Sequence, residues 1–202
     1  MKKKYILLLM LLLIIIISIC LIYRNNNKED TDIKVKYPIY EYYKLNKAIT
    51  ENINYYLKDN KDNYYFLYID YKDYEYKEYI SIVLYISYFT GGAHPNYEIK
   101  TINYNKSTNK FIDIDDLINR DKDILNKLSI YSRKYFSNND MFNDKVVFDM
   151  MIDGTKSIKD NYKYFNITSD GLIIYFNRYQ IAPYYYGDYS ITIPYNYLNL
   201  SI

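Results

Sequence analysis

Tyr79-Ile80-Ser81-Ile82-Val83-Leu84-Tyr85-Ile86-Ser87-Tyr88-Phe89 is nearly continuous in apolar character. A strand with water on one side alternates apolar and polar residues, whereas one covered on both faces need not. The run, rich in β-branched and aromatic side chains, predicts a central strand over 78–89. Upstream, 64–71 carries a second strand signal, joined to the first by the charged stretch 72–77. Leu45, Ile49, Ile53 and Tyr56 recur at helical spacing, which predicts an amphipathic helix over 44–58. Before it, 35–43 reads as a strand in which Pro38 is tolerated near an edge or end.

Downstream, Thr90-Gly91-Gly92-Ala93-His94-Pro95-Asn96 breaks the pattern and predicts a loop. Strand character returns over 97–104, and 105–109 reads as a turn. Asp113, Asp115 and Asp116 precede Leu117 and Ile118 as an N-cap and acidic first turn would. Ile124, Leu125, Leu128, Tyr131 and Tyr135 extend a helical face as far as Phe136. A shorter helix over 144–152 ends near Gly154, which suits a C-terminal cap. Strands follow over 161–167, 172–177 and 189–194, with Ser169-Asp170-Gly171 as a hairpin turn. With no heptad, repeat or βαβ alternation, the fold class is α+β, mostly antiparallel sheet with helices packed on one face.

The N-terminal chemistry is different. From Tyr5 to Tyr23 the chain carries no charge, and as a helix this stretch would span about 28 Å, against about 30 Å of hydrocarbon. It predicts a transmembrane anchor over 5–23, preceded by a cytoplasmic stub, 1–4, that holds Lys2, Lys3 and Lys4. A tether over 24–35 and a two-part exterior domain, 36–104 and 105–202, then lie across the membrane. Cleavage lacks a small-x-small site, and Ile19 immediately before Cys20 disfavours lipidation. That cysteine is the only one, so neither an intrachain disulfide nor a thiolate metal cluster is available.

Removing Lys2, Lys3, Lys4 and Arg24 from the 26 basic residues leaves 22 against 24 acidic ones, so the rest carries about −2. No basic footprint for nucleic acid is present. Tyrosine is abundant, at 31 residues. A/T-rich codons account for that abundance, along with the Asn, Lys and Ile, better than a carbohydrate- or base-stacking role does.

Two segments together resemble a known family. The first is Tyr88-Phe89-Thr90-Gly91-Gly92-Ala93-His94-Pro95-Asn96, then the strand to Tyr104 and Phe111-Ile112-Asp113-Ile114-Asp115-Asp116-Leu117. The second runs from Phe165-Asn166-Ile167-Thr168-Ser169-Asp170-Gly171-Leu172 through Tyr179-Gln180-Ile181-Ala182-Pro183-Tyr184 to Ile191-Thr192-Ile193-Pro194-Tyr195. In this order they resemble the extracytoplasmic domain shared by the lysozyme-sensing anti-sigma factor RsiV and the N-terminal part of certain peptidoglycan deacetylases. The resemblance covers 36–200. It implies a two-part α+β domain that binds a lysozyme-like protein or a cell-wall fragment. Binding candidates that follow from it are Gly91, Gly92, His94, Pro95, Tyr179, Ile181, Pro183 and Tyr184. The chain lacks the sigma-binding segment and the deacetylase domain of those relatives, so neither activity is expected.

The residues themselves point away from catalysis. His94 is the only histidine and has no partner at metal-ligand or nucleophile spacing, so bonding to a loop backbone group is the preferred role. Asp113, Asp115 and Asp116 lack the glycine and glutamate of a calcium loop. No catalytic residue, metal or cofactor is expected. Tyr184, Tyr185 and Tyr186 either face a partner or close the core, two readings of equal weight. The reading overall is a membrane-anchored binding domain; the alternatives are an envelope-polymer hydrolase using His94 and a purely structural surface protein.

Overall fold

The computed structural model describes residues 10, 13–19, 31–58 and 64–200. The chain is α+β, with a five-stranded sheet and a three-stranded one. The first runs in the order β1 (Asp32–Val35), β2 (Phe66–Tyr76), β3 (Tyr79–Phe89), β4 (Asn96–Asn105), β5 (Lys110–Phe111). β1 is parallel to β2 and every other pairing is antiparallel. Helix α1 (Tyr43–Lys58) buries Leu45, Ile49, Ile53 and Tyr56 on one face of this sheet, against Leu67, Ile69 and the even-numbered residues of β3.

The second half supplies helices α2 (Ile114–Arg120), α3 (Ile124–Phe136), α4 (Lys145–Gly154) and α5 (Lys159–Tyr162), then strands β6 (Phe165–Ile167), β7 (Leu172–Phe176) and β8 (Tyr189–Ile193), and finally α6 (Tyr195–Leu198). These elements enclose a second core around Leu128, Phe136, Met151, Tyr162, Phe165 and Phe176. Val83, Ile99 and Tyr175 form a third cluster where the two sheets meet. β3 is central as expected. It is buried on both faces from Tyr79 to Leu84, and beyond that point the face opposite α1 opens to solvent.

Asp113 caps α2 with a reciprocal box. Its Oδ1 accepts from the amides of Asp115 (2.8 Å) and Asp116 (3.2 Å), and Asp116 Oδ2 accepts from the Asp113 amide (2.9 Å). Three amides that would otherwise lack partners are thereby satisfied at the helix start. Asp113→Ala is expected to lower stability by about 1 kcal/mol in urea unfolding, with an unchanged slope. A midpoint equal to wild type would show the cap to be idle.

Several boundaries differ from the sequence expectation. The charged stretch 72–77 is not a linker: β2 continues to Tyr76, with Tyr74 and Tyr76 turned toward the second half and Asp73 and Glu75 toward the other face. Lys77, at φ 52°, makes the reversal. The first strand is 32–35 rather than 35–43, because Pro38 has no amide to give a ladder. The helical run to Phe136 is broken at Asp121, which adopts an extended conformation with φ −144°. Residues 159–162 are helical, so only Phe165–Ile167 of the expected strand 161–167 pairs.

The transmembrane helix is corrected as well. Of the described residues there, Met10 and 13–19 are helical. Among the described residues no helix is long and apolar enough to cross a membrane. The other residues of the expected span 5–23, Cys20 included, lie outside the described ones. The membrane partner, the single-pass localisation and the membrane-anchored function lose their support with it.

Candidate functional site

The loop 90–95 joins β3 to β4 and turns on Gly91 (φ 98°) and Gly92 (φ 116°), a backbone region that side chains disfavour. It delivers His94 onto the second half of the molecule. The imidazole stacks on Tyr184, with ring centroids 3.8 Å apart and planes 23° from parallel. Its Nδ1 lies 3.0 Å from the Pro95 carbonyl oxygen and its Nε2 3.3 Å from the Tyr179 hydroxyl. Tyr184 donates to the same Pro95 carbonyl at 2.7 Å. The ring pair is thus tied to the loop backbone from both sides.

A cation completes the cluster. The Arg178 guanidinium sits 3.7 Å from the Tyr97 ring centroid and 4.5 Å from that of Tyr184. Its Nε is 3.6 Å from Asp188 Oδ1, an ion pair beyond hydrogen-bond reach. Burial raises the Asp188 carboxyl above its ordinary value, and Arg178 opposes this only in part. Just before Arg178, Asn177 Oδ1 accepts the Ile99 amide at 3.0 Å, which fixes the loop to β4. Tyr179 holds φ 66°, strained for a residue with a side chain. Strain of this kind persists where the surroundings over-determine a conformation.

Four of the sequence candidates therefore converge: His94, Pro95, Tyr179 and Tyr184. The others do not. Ile181 is buried in the second core at 1% exposure. Pro183 opens the 3₁₀ turn Tyr184–Tyr186, and Gly91 lies beneath the exposed ring of Tyr65. Of the three consecutive tyrosines, Tyr185 is 75% exposed while Tyr186 packs on the core, so the turn faces both ways. Arg178 and Tyr97 went unrecognised, because they come together only when β4 meets the chain leaving β7.

The expected role of His94 as a loop-backbone ligand agrees with its contact to Pro95. The hydrolase alternative is corrected: it required a carboxylate beside the imidazole, and the hydrogen-bond contacts of His94 run to a carbonyl and a tyrosine. Among the described residues no group of three His, Cys, Asp or Glu side chains could hold a metal ion.

A known family matches this half of the chain. It is described as "Protein of unknown function (DUF3298)" and covers residues 115–196. The peptidoglycan-N-acetylmuramic acid deacetylase PdaC of Bacillus subtilis is 36% identical over 115 residues, or 56% of this chain. Those residues make up 24% of the deacetylase, so the chain matches about a quarter of that protein. Two solved structures share the fold. A DUF3298 family protein from Pseudomonas aeruginosa aligns with TM-score 0.57 at 19% identity, over 75% of this chain and 67% of that one. A DUF3298 family member from Bacteroides fragilis gives 0.51 at 20%, over 77% and 61%. The chain is thus similar in sequence to part of a PdaC-type deacetylase and in fold to DUF3298 proteins.

Proposed function

We propose that the chain is a non-catalytic binding domain that works outside the cytoplasm on a cell-wall fragment, with the rim of His94, Tyr179 and Tyr184 as its contact. The observation that carries this reading is the rim itself. Its rings are pre-stacked and tied to the backbone, with Tyr179 56% exposed. Rigid aromatic surface of this kind loses little entropy on binding. The hydrogen-bond contacts of His94 include no carboxylate. The relationship to PdaC, whose name specifies peptidoglycan, supports a wall ligand. The resemblance to the RsiV domain supports a lysozyme-like protein as the second reading.

Calorimetric titration of the full chain with solubilised wall fragments and, separately, with lysozyme tests both. Wall fragments are expected to bind, Tyr184→Ala to weaken binding about tenfold, and His94→Phe, which keeps the stack, to retain most of the affinity. Heat with lysozyme alone would transfer the reading to a protein partner. Unchanged affinity in Tyr184→Ala would remove the rim from it.

A further inference from the structure

Along β3, burial of the sheet face opposite α1 ends at Val83, while on β4 the second half still covers Ile99 and one face of Tyr97. Past that point the register gathers aromatic side chains around one small residue. Ser87 pairs with Tyr68 of β2 on one side and Tyr97 of β4 on the other, so the three lie in one row on one face. Along β3, Tyr85 and Phe89 share that face two residues before and after it. A serine with rings on four sides is the floor of a trough. Neighbouring strands lie about 4.8 Å apart, so the row from Tyr68 to Tyr97 is about 10 Å across at the backbone.

Both long walls are held in place. On one side Phe66 stacks on Tyr68 (4.8 Å) and on Phe89 (6.2 Å). On the other, Arg178 covers one face of Tyr97 and so borders the His94 rim. Tyr85, 39% exposed, stacks on no other ring among the described residues. Three of the nearby cations face carboxylates: Lys34 with Asp32 at 2.9 Å, Lys36 with Asp70 at 3.6 Å, and Arg178 with Asp188 at 3.6 Å. Lys72, on the same face beside Val83, lies over the Tyr74 ring instead, 4.8 Å from its centroid. Tyr68 also donates its hydroxyl to Asp32. A trough built for an ion would leave a charge of opposite sign uncommitted. This one offers mainly ring carbon and serine and tyrosine hydroxyls, with Lys72 turned onto the Tyr74 ring.

We infer that the Ser87 trough seats a neutral sugar ring of a wall glycan, its C–H face against aromatic carbon and its hydroxyls toward Ser87 and the tyrosines. The inference rests on the reading of the chain as a wall-binding domain and names the part of the ligand that is recognised. Amphipathic tyrosine rings suit a ligand with one apolar and one hydrogen-bonding side.

The test titrates the full chain with the neutral N-acetylglucosamine hexamer and with its fully deacetylated, cationic counterpart, beside sedimentation with purified wall sacculi. The neutral hexamer is expected to bind. Ser87→Trp, which fills the trough, and Tyr85→Ala, at an exposed position, are each expected to weaken it about tenfold or more. Should Ser87→Trp fail to fold, Tyr85→Ala decides. Wild-type affinity in Tyr85→Ala and in a folded Ser87→Trp would overturn the inference, as would tighter binding of the cationic hexamer. Co-sedimentation with sacculi but no heat from the neutral hexamer would sink the sugar site and leave the wall-binding reading standing. Failure in both assays would remove both.

Discussion

Gly154→Ala is expected to destabilise the fold by about 3 kcal/mol, the upper part of the range for overpacking a closed interior. Gly154 ends α4 without a left-handed backbone, so conformational freedom does not explain it. Space does. A Cβ added there would stand 1.9 Å from the Gln180 carbonyl oxygen, 2.7 Å from its carbon and 2.9 Å from Ile181 Cγ2. Backbone on the far side cannot swing away as a side-chain end would. Gln180 is also anchored there, its Nε2 donating to the carbonyls of Gly154 (3.1 Å) and Asn161 (3.0 Å). The methyl must therefore push the segment that continues into Tyr179 and Tyr184. Loss of stability should come with loss of rim geometry. Gly92→Ala is the contrast. Its φ is 116° with nothing within 4 Å of an added Cβ, so only backbone strain of about 1–2 kcal/mol is expected. Paired urea melts settle the matter: equal midpoints for the two variants would mean that the approach of Gln180 does not govern this position.

Gly154 also shows what sequence reading can and cannot reach. A glycine after an apolar helical stretch reads as a cap, and the helix does end there. The reason for the glycine lies 26 residues further along the chain, where no local pattern points. By contrast α1 was plain, because Leu45, Ile49, Ile53 and Tyr56 are buried on one stripe and helical periodicity needs only neighbours. The end of β2 was hidden. Alternating Tyr74 and Tyr76 with Asp73 and Glu75 is a strand pattern, but lysines on either side made the stretch look like solvated charge. At the N-terminus, length and hydropathy predict a span, while among the described residues no helix is long and apolar enough to cross a membrane.

The candidate site divides the same way. Gly91, Gly92 and Pro95 mark a loop locally, and a single histidine within it invites attention, so His94 was legible. Ile181 was misplaced, since an apolar residue in a Tyr-rich loop carries no sign of which way it turns. Arg178 reads as an ordinary surface cation until Tyr97, 81 residues earlier, is brought beneath it by the strand order. The Ser87 trough depends on register across three strands. A run as uniform as 79–89 fixes no register by itself.

Asn103→Ala and Asn166→Ala are each expected to lower stability by about 2–3 kcal/mol, and together by clearly less than their sum. β6 has only β7 as a ladder neighbour, so the backbone groups on its outer edge are buried and need partners from elsewhere. The first sheet supplies them through side chains. Asn103 Nδ2 donates to the Phe165 carbonyl at 2.9 Å, and Ser81 Oγ accepts the Ile167 amide at 3.0 Å. Asn166 returns the contact, its Nδ2 donating to the Ile82 carbonyl (3.1 Å) and to Asn103 Oδ1 (3.2 Å). Ser81 and Asn166 are fully buried and Asn103 is 3% exposed, so water cannot replace a lost partner without entering the seam. Removing either asparagine strands atoms of the other, and the second removal then finds part of the penalty already incurred. A coupling of about 1 kcal/mol or more in a double-mutant cycle is the expected signature. Strict additivity would mean that the two sheets are joined by apolar contact through Val83, Ile99 and Tyr175, with the asparagines as passengers. The coupled result would make this polar seam the element that sets how the second half, and with it Arg178 and Tyr184, sits over Tyr97.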